Sequence, residues 1–553
     1  MDKFLVISEV SKKQGYIFKT NKLKENIGAS AIIEYITEDL PKKNLKKVLG
    51  KEDIEDNIVN TGGGNSLFIV DSEKDAKKFI KWTTSQVLKE FPGVEFFMAY
   101  HKFDYEKNSI IDAIDEIYKK LNDKKSARAS VFRRKSYGIE QECVTTGLPA
   151  YKRYDGAFLS RESYIKREWS KDDHRRELIQ DKTQEEKSIT ISGIIDKYEK
   201  QGYKFTNELE QLITEKGDNS YVAIVSLDGN KMGQKIEHMK KEAKKREDKN
   251  NMPLSNDKYR DTLTEFSQNI KKYYSEAFDY MLKTIHENYY KVEKELKLEE
   301  RNKKEKGKKI MPVRPIILAG DDVCFICNAK IALECVNLFI TKLNEREHDV
   351  EGEQLNACAG ICMLKSTYPF DKGYEIAENL CKNGKAKIVD SNDASLVDFH
   401  ICQGEISTSL NEIRSKVSID KEIELNVKPL YINITEITED DKQKDSYKKI
   451  QRIITEENTF NTYEKFKKEF NRVKKIANKN KGKVRKLRDV FPQGQKQTRI
   501  FMNKNMISDK FNFGFDLPKG SKIEYGFYEK DGKQICLYFD IIELQDMFIN
   551  LDY

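Results

Sequence analysis

The sequence predicts an α/β protein of the α+β kind, with two similar sheet-and-helix domains, a helical linker and a C-terminal domain rich in helices. Apolar strands alternate with amphipathic helices in a βαββαβ order near the N-terminus, and the same order returns about 220 residues later. In addition, 35% of the 553 residues are charged, while the net charge is only +8. At roughly 150 residues per domain, the length predicts about three or four domains. The hydrophobic content of 38% is enough for several separate cores.

The first domain is expected over residues 1–135. Its strands are FLVISEV, TGGGNSLFIV and VEFFMAYHKF, and its helices are DAKKFIKWTTSQVLKEF and GASAIIEYITEDL, which is predicted to open near Gly28. A glycine-marked hairpin joins the two central strands. This order is typical of ferredoxin-like and related folds, in which helices cover an open sheet.

The second domain is expected over residues 221–405, after a polar and weakly periodic linker at 136–220. The strands YVAIVSLD, RPIILAGDDVCFIC and LNACAGICML alternate with the helices ALECVNLFITKLNE and YEIAENLCKNGKAK. A charged helical insertion at 235–311 separates the first two strands, and residues 406–553 form a third, mostly helical unit. The repeat is far longer than the roughly 20 to 50 residues of solenoid repeats, so it predicts two related domains rather than an array.

Composition excludes several classes of protein. No stretch approaches the roughly 20 apolar residues of a transmembrane helix, and the N-terminus lacks the features of a signal peptide, so we expect a cytoplasmic protein without a membrane partner. The nine cysteines lie mostly in apolar runs and are predicted to be reduced thiols of the core. Cys324 and Cys327 form a CxxC motif, but no second pair lies nearby, so we interpret the motif as structural rather than as a zinc site.

Acidic residues stand where two strands of the second domain meet their turns. Asp228 leaves the strand YVAIVSLD, and Asp321 and Asp322 occupy the turn after Gly320. If the two strands are neighbours, these carboxylates converge, and Mg²⁺ or Mn²⁺ prefers hard oxygen ligands of this kind. Gly229 would leave its carbonyl oxygen accessible as a further ligand. Either turn alone is more often ordinary, but the two together in one βαββαβ unit predict a metal site.

At these residues the sequence resembles the large palm-domain subunit of type III CRISPR effector complexes, whose paired palm domains are related to nucleotide cyclases and GGDEF proteins. The resemblance covers about residues 1–405. In the first domain it is carried by TGGGNSLFIV and by residues 17–36. In the second it is carried by SLDGNKMG, ILAGDDVCFIC, LNACAGICML, AENLCKNGKAK and SLVDFHI.

The resemblance implies that the protein converts ATP into a cyclic oligoadenylate-type messenger in antiviral defence, with two Mg²⁺ or Mn²⁺ ions at the second palm. CRISPR RNA effector subunits and target RNA are the implied partners, and the sequence allows a homo-oligomer. A lysine in such a site would offset the charge that builds on the phosphates. The residues that match family positions are the metal ligands Asp228 and Asp321, the neighbouring acid Asp322, the turn residue Gly320 and the triphosphate-binding Lys385.

The first domain carries no carboxylate at the equivalent turn, so we expect it to bind nucleotide without holding the metals. The helix expected to begin near Gly28 would place Ser30 in its first turn, where backbone amides attract anions. A purely structural glycine hairpin is the alternative interpretation. The turn itself consists of Gly62, Gly63, Gly64 and Asn65.

Several features depart from the family pattern. Ala319 replaces the first glycine of the acidic turn, and Asn230 stands where a second acid is frequent. Cys143 is a single cysteine where a zinc site would need a pair, and we expect a version of the family without the HD nuclease domain, because the sequence opens on the first palm. Two alternatives therefore stay open: a catalytically inactive scaffold that binds nucleotide or RNA complexes, and a templated polymerase, because Gly-Asp-Asp turns also occur in palm polymerases.

Overall fold

The chain forms two compact units, each assembled from several segments. One unit contains Met1–Glu208, Lys231–Glu276 and Pro315–Val323, and the other contains Leu209–Asn230, Ala277–Arg314 and Cys324–Tyr553. In the residues that the structure describes, no helix is long and apolar enough to cross a membrane. The computed structural model describes residues 2–62, 64–127, 138–213, 220–250, 255–345, 354–388, 394–404, 409–415, 417, 419–420, 422–432, 461–507, 511, 515 and 522–551.

The first domain is built on a four-stranded sheet in the order β2-β3-β1-β4. The central strand β1 is antiparallel to both β3 and β4, and Glu9 near its end lies opposite Asn65 at the start of β3. The elements are β1 (Asp2–Ser11), α1 (Lys13–Ile17), α2 (Leu23–Glu34), α3 (Leu40–Leu49), β2 (Ile58–Gly62), β3 (Asn65–Val70), α4 (Glu73–Glu90), β4 (Glu95–Asp104) and α5 (Ile110–Ala127).

Both faces of this sheet are covered. Phe4, Leu5, Val6 and Ile7 are all buried although side chains alternate between the two faces of a strand. Helix α5 packs on one face through an apolar stripe at helical spacing, which consists of Ile110, Ile114, Ile117 and Leu121.

One helix boundary in this domain differs from the prediction. Helix α2 begins at Leu23 rather than near Gly28, so Gly28 lies inside it. A Cβ at Gly28 would stand 1.7 Å from the carbonyl oxygen of Lys166, which means that the glycine is required by a close approach of two backbones rather than by a helix start. Ser30 is therefore in the middle of α2, where its amide belongs to the helix itself. The predicted helix start near Gly28 is wrong, and nucleotide binding by Ser30 stays a prediction.

The linker continues the first unit with short elements. Helix α6 is attached to α2 by an ion pair between Arg167 and Glu25, two side chains that are almost fully buried. The elements are β5 (Lys152–Tyr154), β6 (Ala157–Leu159), α6 (Arg161–Trp169), α7 (Asp172–Glu177), α8 (Gln184–Ser188), α9 (Ile191–Lys200) and β7 (Tyr203–Phe205).

Two long helices follow the first strand of the second domain, α10 (Met232–Asn250) and α11 (Asn256–Glu287). Residues 231–276 of this helical insertion belong to the first unit. Tyr259 and Leu263 of α11 join the apolar cluster under α5, and Lys240 of α10 forms an ion pair with Asp115 at 2.6 Å.

The second domain repeats the strand order of the first. Its sheet has six strands in the order β10-β11-β8-β12-β13-β15, and β8 is antiparallel to β12. The predicted α/β fold with a repeated βαββαβ order is thus confirmed. The elements are β8 (Tyr221–Gly229), α12 (Tyr289–Leu296), α13 (Glu299–Lys304), β9 (Lys309–Met311), β10 (Val313–Ala319), β11 (Asp322–Asn328), α14 (Ala332–Leu343), β12 (Ala357–Lys365), α15 (Phe370–Ala386) and β13 (Ser395–Ile401).

The C-terminal part combines helices with a small sheet in the order β14-β17-β16. The ion pair of Lys428 with Asp540 is fully buried at 2.9 Å. All nine cysteines of the chain are buried free thiols, as predicted. The elements are α16 (Leu410–Ser415), β14 (Ile423–Glu424), β15 (Leu430–Ile432), α17 (Tyr463–Val490), α18 (Gln495–Lys504), β16 (Phe527–Lys530), β17 (Lys533–Cys536) and α19 (Phe539–Glu543).

Candidate active site

An acid and a lysine meet at the end of β8 in the second unit. Lys385 Nζ lies 2.7 Å from Asp228 Oδ2, and it also donates a hydrogen bond of 2.7 Å to the carbonyl oxygen of Gly229. The Asp228 side chain is 50% exposed and that of Lys385 is 29% exposed. The two oxygens that the sequence predicted as metal ligands are therefore held by one ammonium group that solvent can reach.

Close packing of α15 on the sheet sets the position of Lys385. Gly360 of β12 lies directly under the helix, and a Cβ there would stand 1.9 Å from the carbonyl oxygen of Ala377. Phe370, Tyr374 and Cys381 form part of the buried stripe of α15. The residue four positions after Cys381 is Lys385, so the stripe that fixes the helix ends at the lysine.

The acidic turn joins β10 to β11. Its left-handed residue is Gly320, with φ of 68°, a conformation that side-chain-bearing residues rarely adopt. Ala319 is the last residue of β10, so the alanine does not occupy the strained position of the turn. Asp322 is the first residue of β11, and its Oδ2 lies 3.1 Å from Lys13 Nζ within the first unit. These two side chains are only 18% and 24% exposed.

The predicted metal ligands are divided between the two units of the chain. Asp228 belongs to the second unit, whereas Asp321 and Asp322 belong to the first. Among the described residues, no group of three or more His, Cys, Asp or Glu side chains is arranged to hold a metal ion. The convergence of the three carboxylates stays a prediction.

Asn230 has a structural role that the sequence did not reveal. Its side chain is buried, and its Nδ2 donates to the carbonyl oxygen of Ala394 at 2.9 Å. Its backbone amide donates to the carbonyl oxygen of Asn356, also at 2.9 Å. Both acceptors lie just before neighbouring strands of the same sheet. An amide can donate in this way and a carboxylate cannot, so Asn230 fixes the end of β8 where the family frequently has an acid.

The equivalent turn of the first domain is a tight hairpin. Gly62 ends β2 and Asn65 begins β3, while Gly63 lies outside the described residues. Gly64 has φ of 95°, and its carbonyl oxygen accepts a hydrogen bond from the amide of Val10. A Cβ at Gly64 would lie 3.3 Å from the Cδ of Lys13, so this glycine leaves room for the lysine that pairs with Asp322.

Lys13 is the residue at this site that sequence reasoning missed. It begins α1 and is separated from β1 by Lys12 alone, whereas its partner Asp322 is more than 300 residues away in the chain. No local pattern predicts such a pair, because Lys12 and Lys13 look like an ordinary solvated turn.

Residues 221–394 match the family model described as the second palm domain of Cas10/Cmr2. No curated protein is similar to this chain in sequence. The predicted family is therefore confirmed through the segment from β8 to the loop before β13, which includes Asp228, both acids of the turn and Lys385.

Solved structures that contain Csm1 match between 71% and 99% of this chain at low sequence identity. The apo Csm1–Csm4 cassette shares 11% identity with a TM-score of 0.47, over 99% of this chain and 70% of that one. The cassette in complex with cA4 shares 14% identity with a TM-score of 0.40, over 72% and 54%. Csm1 of T. onnurineus shares 12% identity with a TM-score of 0.40, over 71% and 52%. The chain spans about half the length of the latter two. Through residues 221–394, the chain carries a second palm domain of the Cas10/Cmr2 family, as its motifs predicted.

Proposed function

We propose that this protein converts ATP into a cyclic oligoadenylate-type messenger in type III CRISPR defence, in the cytoplasm. The observation that carries the proposal is the contact of Lys385 with Asp228 and Gly229 at the end of β8, within the stretch that matches the palm family model. CRISPR RNA effector subunits and target RNA are the proposed partners.

The proposed metal ligands fit Mg²⁺ or Mn²⁺ by their chemistry. They are the carboxylates of Asp228, Asp321 and Asp322 and the carbonyl of Gly229, all hard oxygen donors of the kind these ions bind. Because the Asp228 side chain is half exposed, its carboxylate can exchange the ammonium of Lys385 for a metal ion. Bound ions would acidify the attacking ribose hydroxyl and neutralise charge on the leaving pyrophosphate.

Lys385 would bind the triphosphate. Its stem is fixed by the packing of α15 on β12, and its ammonium already stands at the end of β8. When nucleotide enters, this point charge would exchange the carboxylate of Asp228 for phosphate oxygens, which leaves Asp228 available for an ion. Gly320 would keep the turn tight, so that a phosphate can approach the backbone. No side-chain nucleophile is required, since a ribose hydroxyl of one nucleotide attacks the α-phosphate of another.

The test is product formation from ATP. The full chain, alone and with effector subunits and target RNA, is incubated with ATP and Mg²⁺ or Mn²⁺, and the products are identified by mass spectrometry. We expect cyclic oligoadenylate and pyrophosphate from the wild type, and none from the double variant Asp321→Ala with Asp322→Ala. Asp371→Ala, an exposed acid in the first turn of α15, is the control and should retain activity. Turnover by the double variant would show that the assigned site is wrong.

A second candidate function is a nucleotide-binding scaffold without catalysis. Among the described residues no ready group of three metal-ligating side chains exists, and both Asp228 and Asp322 are neutralised by lysines. A scaffold would bind ATP without turnover under every condition, including in the presence of effector subunits and target RNA. Template-directed extension of a labelled primer would instead favour a polymerase.

A further inference from the structure

The end of β1 in the first domain has the same local structure as the end of β8 in the second. After β1 the chain passes through Lys12, whose φ is 52°, and begins α1; after β8 it passes through Lys231, whose φ is 55°, and begins α10. A left-handed lysine is uncommon, so it provides a reference point in each domain. The residue three positions before it is Glu9 in the first domain and Asp228 in the second.

The helix that follows the fourth strand of each βαββαβ motif also carries a lysine at the same position. Helix α5 begins at Ile110 and α15 begins at Phe370; Lys125 and Lys385 each lie fifteen residues after that first residue. In α5, as in α15, the buried stripe leads to the lysine, because Leu121 is buried four positions before Lys125.

The two equivalent lysines make equivalent contacts. Lys125 Nζ lies 2.5 Å from Glu9 Oε1, as Lys385 Nζ lies 2.7 Å from Asp228 Oδ2. The side chains of Lys125 and Glu9 are both 23% exposed. The first domain has therefore kept the acid and the lysine at the end of its central strand, although its turn has no carboxylate.

The surroundings of this pair suit an anion rather than a metal. The residue opposite Glu9 in the sheet is Asn65, whose Nδ2 lies 3.4 Å from the hydroxyl of Tyr118. Burial, together with the nearby charge of Glu9, raises the pKa of Tyr118 to about 12, so the phenol keeps its proton and can donate it. In the described part of the chain, this edge offers the ammonium of Lys125, the amide of Asn65 and the phenol of Tyr118 as donors to an anion, beside the carboxylate of Glu9.

We propose that Lys125 binds the phosphates of a 5′-triphosphate at the first domain, and that Glu9 holds its ammonium at the end of β1 until the ligand enters. This rests on the proposed function, and it gives the second nucleotide site a phosphate-binding cation. Two ligands share the chemistry: a nucleoside triphosphate, and the 5′-triphosphate end of a short oligoadenylate. Because Glu9 and the phosphates compete for one ammonium, removal of the Glu9 charge should strengthen binding.

The test is calorimetric titration of the full chain with a non-hydrolysable ATP analogue, with a 5′-triphosphorylated diadenylate and with adenosine. We expect two sites for the analogue in the wild type. Lys125→Met should weaken one of them about tenfold, which corresponds to 1.4 kcal/mol, and leave adenosine binding unchanged. Glu9→Gln should tighten that site, and Lys125→Arg should retain most of its affinity. Whichever triphosphate loses affinity in Lys125→Met is identified as the ligand.

Controls separate this inference from the proposed function. Lys119→Met removes an exposed lysine of the same helix, whose partner Glu116 is on the surface, and should bind like the wild type. If Lys385→Met loses one site while Lys125→Met keeps both at full affinity, the inference is wrong and the proposed function stands. If neither lysine affects binding, both are wrong. Equal weakening by Glu9→Gln and Lys125→Met would point to a structural pair and would also overturn the inference.

Discussion

The two domains share the order of four strands, and they differ in the side chains of the turn between two of these strands. Each domain places its central strand between a hairpin and a fourth strand. Near the end of each central strand, an acid pairs with a lysine of the helix that follows the fourth strand. At the hairpin, the second domain has Asp321 and Asp322, whereas the first has Gly64 and Asn65. The comparison teaches that the lysine and the strand-end acid are separable from the turn: the first domain has this pair without carboxylates at its hairpin, whereas the second domain has both.

The sharpest way to break this comparison is to remove the strand-end acid from each domain. Asp228→Ala should lower product formation at least about 1000-fold, roughly 4 kcal/mol, because a proposed metal ligand is lost. Glu9→Ala should change it only a few-fold, since Glu9 is not a ligand. Steady-state pyrophosphate release measures both. A loss of equal size in the two variants would mean that the two strand ends have the same role.

The second domain also contains a buried ion pair on strand β13, a strand without a counterpart among the described strands of the first sheet. Asp398 is fully buried and accepts hydrogen bonds from Arg414 at 2.6 Å and from Asn383 of α15 at 2.7 Å. Asp398→Asn should destabilise the second unit by about 3 kcal/mol, because Arg414 loses its partner. Calorimetric unfolding measures the shift, with the exposed Asp371→Asn as the control. An unchanged transition would show that the buried carboxylate contributes little.

Lys13 offers a third test, because its ammonium forms an ion pair with the carboxylate of Asp322. Lys13→Met should bind Mn²⁺ about tenfold more tightly, since a competing cation is removed and less positive charge faces the ion. Electron paramagnetic resonance of free Mn²⁺ measures the affinity without turnover. Lys12→Met is the matched control, because its partner Glu95 is a surface residue. Weaker Mn²⁺ binding by Lys13→Met would mean that the lysine supports the carboxylate rather than competing with an ion.

The smallest expected effect concerns a partly buried acid in the first unit. Burial, and then the charge of Glu38, raise the pKa of Glu34 from 4.5 to about 7. The folded state therefore binds more protons than the unfolded state between these values, so stability falls as the pH rises from about 4.5 to 7. In the variant Glu34→Gln, the decrease in the free energy of unfolding over this pH range should be smaller by about 1 kcal/mol. Urea midpoints at pH 5 and pH 7.5 test it, and an equal pH effect in both proteins would contradict it.

Local pattern predicted most of the fold and part of the candidate site. The strand order follows from alternating apolar segments, and the family resemblance singled out Asp228 and Lys385 without indicating that the two side chains are in contact. Pattern failed where a residue serves a distant partner. Gly28 looked like a helix start, but it admits the carbonyl of Lys166. Asn230 looked like a lost acid, but it donates to Ala394. Neither partner is near in sequence, so no periodicity could reveal it.

The close contact between Gly360 and α15 means that a substitution under the helix can disturb the candidate site. Any side chain at position 360 would act as a wedge against the carbonyl of Ala377 and would lift α15 off the sheet. Lys385 lies about two turns after Ala377 in this helix. A tilt of the helix would therefore move the ammonium of Lys385 away from the carboxylate of Asp228. A substitution at a residue that contacts neither Asp228 nor Lys385 would then inactivate the candidate site. Other charged residues near the site could not compensate for the displaced lysine.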